Sequence, residues 1–189
     1  MIKGVEIMTN NKANIIKEIG EFLDSDEKGM LITGTHQYKK HIAAMYVINE
    51  KLKNKRILFR TNAMNMVQTH LKSMVKKQPK AGERVRIDNN VYEFDAFTSS
   101  GTWQKTSGDV SVIIVYPIDA IARGAVKLDC IDDLFDFKRF DKIILVSWTD
   151  NPVNDYSLFD KYVDRKCVYD AEEEDPAYHA RVIESIDRK

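Results

Sequence analysis

The chain is poor in the residues that staple, span or interrupt a fold. It has two cysteines, Cys130 and Cys167, too few for a disulfide framework, and no C-x-x-C pair to suggest zinc or redox chemistry. Each lies in or beside an apolar stretch. That reads as a reduced core or near-core residue and points to a cytoplasmic protein, although sequence alone leaves a bond between them open. The four histidines follow no ligand spacing, so no metal site is assigned. No run reaches the roughly 18 apolar residues that mark a bilayer span, so no membrane partner is expected. The opening MIKGVEIMTNNK has no long apolar run and does not read as a secretory signal. Neither sign of charge is in excess, with 29 Lys and Arg against 29 Asp and Glu. The total therefore demands neither nucleic acid nor an anionic surface, but it leaves room for a local basic patch. G-x-S-x-G and G-x-G-x-x-G are both missing, which removes the nucleophile-elbow hydrolases and the dinucleotide fingerprint.

What is present suits one domain spanning 1–189 with a core of its own. Ala13, Ile16, Ile19 and Leu23 recur at helical spacing over 12–24, with Asn10 or Asn11 as the cap. MLIT (30–33) is a short apolar strand, and 37–53 is a helix with a largely apolar middle. RILFRT (56–61) is the next strand. Met64, Val67, Leu71 and Met74 then predict a helix over 63–75. VSVIIVYP (110–117) and KIILVSW (142–148) are nearly continuous apolar runs, as strands covered on both faces should be. LDCIDDLFDF (128–137) and NDYSLFDKYV predict helices, KCVYD (166–170) a last strand, and DPAYHARVIESI (175–186) a terminal helix with Pro176 at its first position. Between them, 76–110 changes character. An alternating stretch around Asp88-Asn89-Asn90 predicts a hairpin, and TSSGTWQKTSGD a loop, so the block reads as a small antiparallel insert. Strands alternating with helices predict a three-layer α/β fold with a mostly parallel sheet.

The segment GMLITGTHQYKKHIAAMYVI (29–48) has the strand–turn–helix layout of a phosphate-binding loop. Gly34 and Lys40 stand six apart, as the first Gly and the Lys of G-x-x-x-x-G-K-[ST] do; Lys39 and His41 occupy the second Gly and the Ser/Thr positions. Such a loop turns successive backbone N–H groups toward an anion at a helix start, and its Lys neutralises phosphate. Lys39 brings a Cβ where the backbone needs room, and imidazole is a poor substitute for a hydroxyl on hard Mg²⁺. Three readings stand: a retained anion site, a site that has lost catalysis, or a plain turn with Lys39, Lys40 and His41 in solvent.

The order of segments resembles the first motor domain of superfamily 2 (DEAD/DEAH-type) helicases, over residues 28–150. TGTHQYKKH stands where that family has TGxGKT, RILFRTNAMNMVQTHL carries Thr61 and Leu71 in the setting of its P-T-x-x-L element, and Pro117 is what remains of TPxR. The resemblance implies a P-loop, RecA-like fold and a phosphate-bearing ligand such as ATP, with Gly34, Lys39, Lys40, His41 and Asp150 as the binding set. It also implies weak or absent turnover. Ser147 and Trp148 stand where the acidic pair that holds Mg²⁺ and activates water belongs, and Asp119 replaces the arginine of TPxR. No catalytic residue is assigned.

Two other stretches are candidates. Lys72, Lys76, Lys77, Lys80, Arg84 and Arg86 face only Glu83 in LKSMVKKQPKAGERVR, with Tyr92, Phe97 and Trp103 nearby. Lys76, Lys77, Arg84, Arg86 and Trp103 are the nucleic-acid set; the alternative is a solvated helix end with packed aromatics. SWTDNPVND follows a buried strand at the carboxyl edge, where α/β sheets bind ligands, and Trp148, Thr149, Asp150 and Asn151 could share a crevice with Gly34–Lys40. YDAEEEDP reads as a hydrated acidic loop that favours the next helix start. The expectation is a non-motor P-loop-like binding or scaffolding protein with a nucleic-acid or protein partner. The alternatives are an atypical nucleotide-dependent ATPase and a protein–protein interaction subunit without a small ligand.

Overall fold

The structure is a computed structural model that describes residues 9–187; the opening segment read as lacking a signal lies mostly outside the described residues. Seven strands form one sheet: β1 (Gly29–Thr33), β2 (Arg56–Thr61), β3 (Val85–Ile87), β4 (Asn90–Ala96), β5 (Val112–Tyr116), β6 (Lys142–Val146) and β7 (Arg165–Val168). Their order is β3-β4-β2-β5-β6-β1-β7, and every pairing except β3–β4 is parallel. The helices are α1 (Lys12–Asp24), α2 (Lys40–Lys51), α3 (Val67–Leu71), α4 (Asp119–Ala122), α5 (Asp129–Phe137) and α6 (Pro176–Asp187).

The strand pleat sorts side chains into two cores. Met30 and Ile32 of β1, Ile57 and Phe59 of β2, and Ile114 of β5 point to one face, which α1 and α2 cover with Ile15, Ile19, Phe22, Met45 and Ile48. Leu31, Leu58, Ile113, Val115 and Leu145 point to the other, under Ile121, Ile131, Leu134 and Phe159. The apolar runs are continuous because both faces are buried. The expected three-layer architecture is therefore present. Cys130 and Cys167 are buried and free, one in each core, so they form no disulfide.

Several local expectations are corrected. The hairpin forms between β3 and β4, but β4 also pairs in parallel with β2 from Arg56↔Val91 to Thr61↔Ala96. The expected antiparallel hairpin is thus present, and through β4 it is built into the main sheet, with β3 as the antiparallel edge strand. The helix expected at 63–75 is split into a 3-10 turn, α3 and a second 3-10 turn at Lys72–Met74, where Lys72 has φ of 49°. The Gln78 side chain helps to replace the helical ladder: it accepts from Gln68 N–H at 3.2 Å and donates to the Met64 carbonyl. Tyr156–Tyr162 is 3-10 rather than α, and its buried Phe159 and Tyr162 lie three apart, the repeat of that helix. α1 buries Ile15, Ile19 and Phe22, with Ala13 in solvent. TSSGTWQKTSGD is not an open loop but holds a 3-10 helix at Ser100–Lys105.

Candidate phosphate-loop site

Because the strands run parallel, Gly34, Asn62, Pro117, Ser147 and Tyr169 all follow strand ends at one edge of the sheet. The loop from Gly34 to Lys39 joins β1 to α2 there. Gly34 has φ of 113°, and a Cβ on it would lie 2.3 Å from the Tyr169 carbonyl oxygen, so the position admits only glycine.

The loop amides are already engaged. Gly34 N–H donates to Asp150 Oδ2, and Asp150 is steadied by Ser147 Oγ, which donates to its Oδ1 at 3.0 Å. Thr35 N–H donates to Asp170 Oδ1 at 2.8 Å, and His36 N–H to the Tyr169 carbonyl at 3.2 Å. Gln37 bonds through its side chain to Tyr178 (2.9 Å) and Thr149 (2.7 Å). Two of the chain's own carboxylates therefore sit against the backbone donors.

Lys40 is fully buried, and its Nζ donates to the carbonyls of Gly34 and, at 3.1 Å, Trp148. Burial lowers its pKa to about 8, while the Asp150, Asp119 and Asp170 carboxylates pull the other way. Burial likewise raises the Asp150 pKa against the attraction of Lys40. Asp119 accepts from the backbone N–H of Trp148 at 2.6 Å and of Thr149 at 2.9 Å, which fixes the turn that delivers Asp150.

The structure brings Gly34, Lys40 and Asp150 together, and the expected crevice between SWTD and the loop is a direct contact. Lys39 is exposed and points outward to Glu174 at 2.8 Å. His41 is buried in the core face of α2, stacked on Tyr116 with ring centroids 3.9 Å apart and bonded through Nε2 to the His70 carbonyl at 3.0 Å. Burial holds its pKa down to about 3. A plain turn with Lys40 and His41 in solvent is thus not what forms.

The nucleic-acid set is divided. Lys76, Lys77, Arg84 and Arg86 line one hollow of about 340 Å³ beside the edge strand β3. Lys77 pairs with Glu83 at 3.1 Å and Arg84 with Glu93 at 3.0 Å. Trp103 is elsewhere: its indole N–H donates to the Ala96 carbonyl at 2.8 Å, and its ring covers the Arg60 guanidinium at 4.8 Å, in the second core. Tyr92 and Phe97 are buried as well, so the packed-aromatic alternative describes all three rings.

Asp170, Thr35, His179 and Tyr178 escaped the sequence reading. The acidic stretch read as hydrated in fact ties the loop down: Asp170 holds Thr35, Glu174 holds Lys39 and the Tyr169 hydroxyl, and Thr35 Oγ1 meets His179 Nδ1 at 2.8 Å. The only signal was the density of carboxylates after the last strand. Among the described residues, no group of three or more His, Cys, Asp or Glu side chains is arranged to hold a metal.

No family model matches the chain, and no curated protein sequence matches it. Among solved structures, the large terminase of the thermophilic bacteriophage D6E is similar with a TM-score of 0.60 over 92% of this chain at 11% identity. The shared fold is a three-layer α/β one with a mostly parallel sheet, consistent with a RecA-like architecture. This chain spans 49% of the terminase chain, about half its length, and the likeness is one of architecture. No helix among the described residues is long and apolar enough to cross a membrane.

Proposed function

We propose that this chain is a non-motor P-loop-type binding protein in which the phosphate loop has become a structural latch. One observation carries the reading: Asp150 and Asp170 occupy the N–H groups of Gly34 and Thr35. A carboxylate seated there competes with phosphate for the same donors and repels it. Lys40, tied to two carbonyls, acts as the inner pin of the latch. Kinship with superfamily 2 motor domains fits the segment order, and the reduced cysteines fit a cytoplasmic location. Titration with Mg-ATP tests the latch. The expected result is no binding in the micromolar range and no Mg²⁺-dependent phosphate release. Tight ATP binding that Lys40→Ala abolishes, with turnover, would overturn it.

A second reading, an atypical ATPase, draws on the three carboxylates Asp119, Asp150 and Asp170 that surround Lys40. It requires Asp150 to leave Gly34 when nucleotide arrives. Under that reading Asp150→Ala binds nucleotide and loses turnover, whereas under the latch reading Asp150→Ala loosens the loop and turnover is absent in both forms.

A further inference from the structure

We propose that three adjoining hollows form one groove for single-stranded nucleic acid, running from the carboxyl edge of the sheet to the basic block beside β3. The first hollow, about 330 Å³, lies between Tyr38, Asn62, Pro117 and Trp148. It shares Tyr38, His70 and Lys72 with a second of about 540 Å³. That one shares Ser73 and Met74 with the third, which Lys76, Lys77, Arg84 and Arg86 rim. The turn Lys72–Met74, which interrupts the expected helix, is the wall common to all three.

The chemistry changes along the groove in the way a strand requires. At one end Tyr38 is 52% and Trp148 41% exposed, large rings that the core leaves unused. Their centroids are 6.3 Å apart at an interplanar angle of 66°, an edge-to-face contact rather than a stack, so the two exposed rings are not closed against each other. Lys72 Nζ stands 5.7 Å from the Tyr38 ring, a cation beside the stacking platform. At the other end, Lys76 and Arg86 have no carboxylate partner among the described residues. Along the three hollows six cationic side chains stand against three carboxylates, in a chain whose formal net charge is zero. The excess is local, and phosphates are its complement. Paired duplex bases cannot reach the rings, which selects a single strand. An acidic peptide would use the basic end and ignore the aromatic one. Tyr38 and Trp148 thus fill the stacking role first expected of Trp103.

The groove deepens the reading of this chain as a binding protein, and it does not depend on the latch, because strand binding and ATP binding are measured separately. The test is fluorescence anisotropy of the full chain with a labelled oligothymidylate and with a duplex of the same length, across a salt series. The single strand should bind more tightly than the duplex. Lys76→Ala with Arg86→Ala should weaken binding roughly tenfold and flatten the slope of log K against log salt by about 0.7 for each phosphate no longer neutralised. Tyr38→Ala with Trp148→Ala should weaken binding by about tenfold with the salt slope unchanged. All four side chains are exposed, and circular dichroism confirms that each variant is folded. Absence of binding at low salt, equal binding of duplex, or full affinity in the aromatic variant would overturn the proposal. Displacement of the strand by poly-glutamate, with the aromatic variant indifferent, would overturn it in favour of an acidic protein partner.

Discussion

Two buried cations face different parts of the sheet, and the protein treats them differently. Arg60, on β2, is fully buried and its guanidinium makes four hydrogen bonds to protein acceptors. Nε and Nη2 donate to the two oxygens of Asp95 at 2.8 Å each, and Nη1 donates to Asp133 at 2.9 Å and to the Cys130 carbonyl at 2.6 Å. Lys40 is equally buried but bonds only to carbonyls; its carboxylates act on it across the loop, without a direct ion pair. The first arrangement uses a planar fork that matches a carboxylate and fixes β2, β4 and α5 together. The second leaves a compact charge whose proton is loosely held. The lesson is that burial alone does not fix how a cation is held: Arg60 is neutralised by direct ion pairs, whereas Lys40 is held by neutral carbonyls.

The comparison can be broken by substitution. Arg60→Met strands Asp95 in the core and should cost about 3–5 kcal/mol in urea unfolding. The double variant Arg60→Met with Asp95→Leu should recover part of that, since the unpaired charge is gone. Lys40→Met leaves the Gly34 and Trp148 carbonyls without a donor and should cost less, about 1–3 kcal/mol. Equal losses at the two sites would erase the distinction drawn between them.

Smaller effects lie in the pH dependence. His41 titrates at about 3 when folded and at 6.5 otherwise, so between those values the unfolded chain binds more protons. Its contribution is present above pH 6.5 and is lost as the pH falls. His70, lowered to about 4 by burial, acts in the same direction. His41→Phe should therefore flatten the fall of the urea midpoint between pH 6.5 and 4.5; an unchanged slope would count against a neutral buried His41. At the alkaline side Lys40, lowered from 10.5 to about 8, makes stability rise with pH above about 8. Cys130 and Cys167, whose thiols burial pushes up from 9 to about 12, oppose it above pH 9. The rise is thus sharpest to read between pH 8 and 9, and Lys40→Met should remove it there.

Much of the scaffold was legible because its signals are local. The runs at 110–117 and 142–148 could be buried only on both faces, and the Gly34–Lys40 spacing marked the loop before any neighbour was known. The aromatic end of the groove was not legible, because nothing in Tyr38 or Trp148 distinguishes an exposed ring from a packed one. Trp103 sat in a polar stretch that looked open, yet it covers Arg60, a partner from another strand. The latch was hidden for a related reason: Asp170 is 135 positions from Thr35, and only the β1–β7 pairing brings them into contact.

The sequence by itself determined the alternation of strands and helices, the double-sided burial of the central strands and the place of the loop. These follow from periodicity and from the few residues that can turn a chain sharply. Tertiary structure alone decided that β4 joins the main sheet, that Asp150 and Asp170 occupy the loop amides, and that Lys40 points inward. Each of those outcomes depends on which distant strand ends become neighbours, and strand order is a property of the assembled sheet rather than of any one segment.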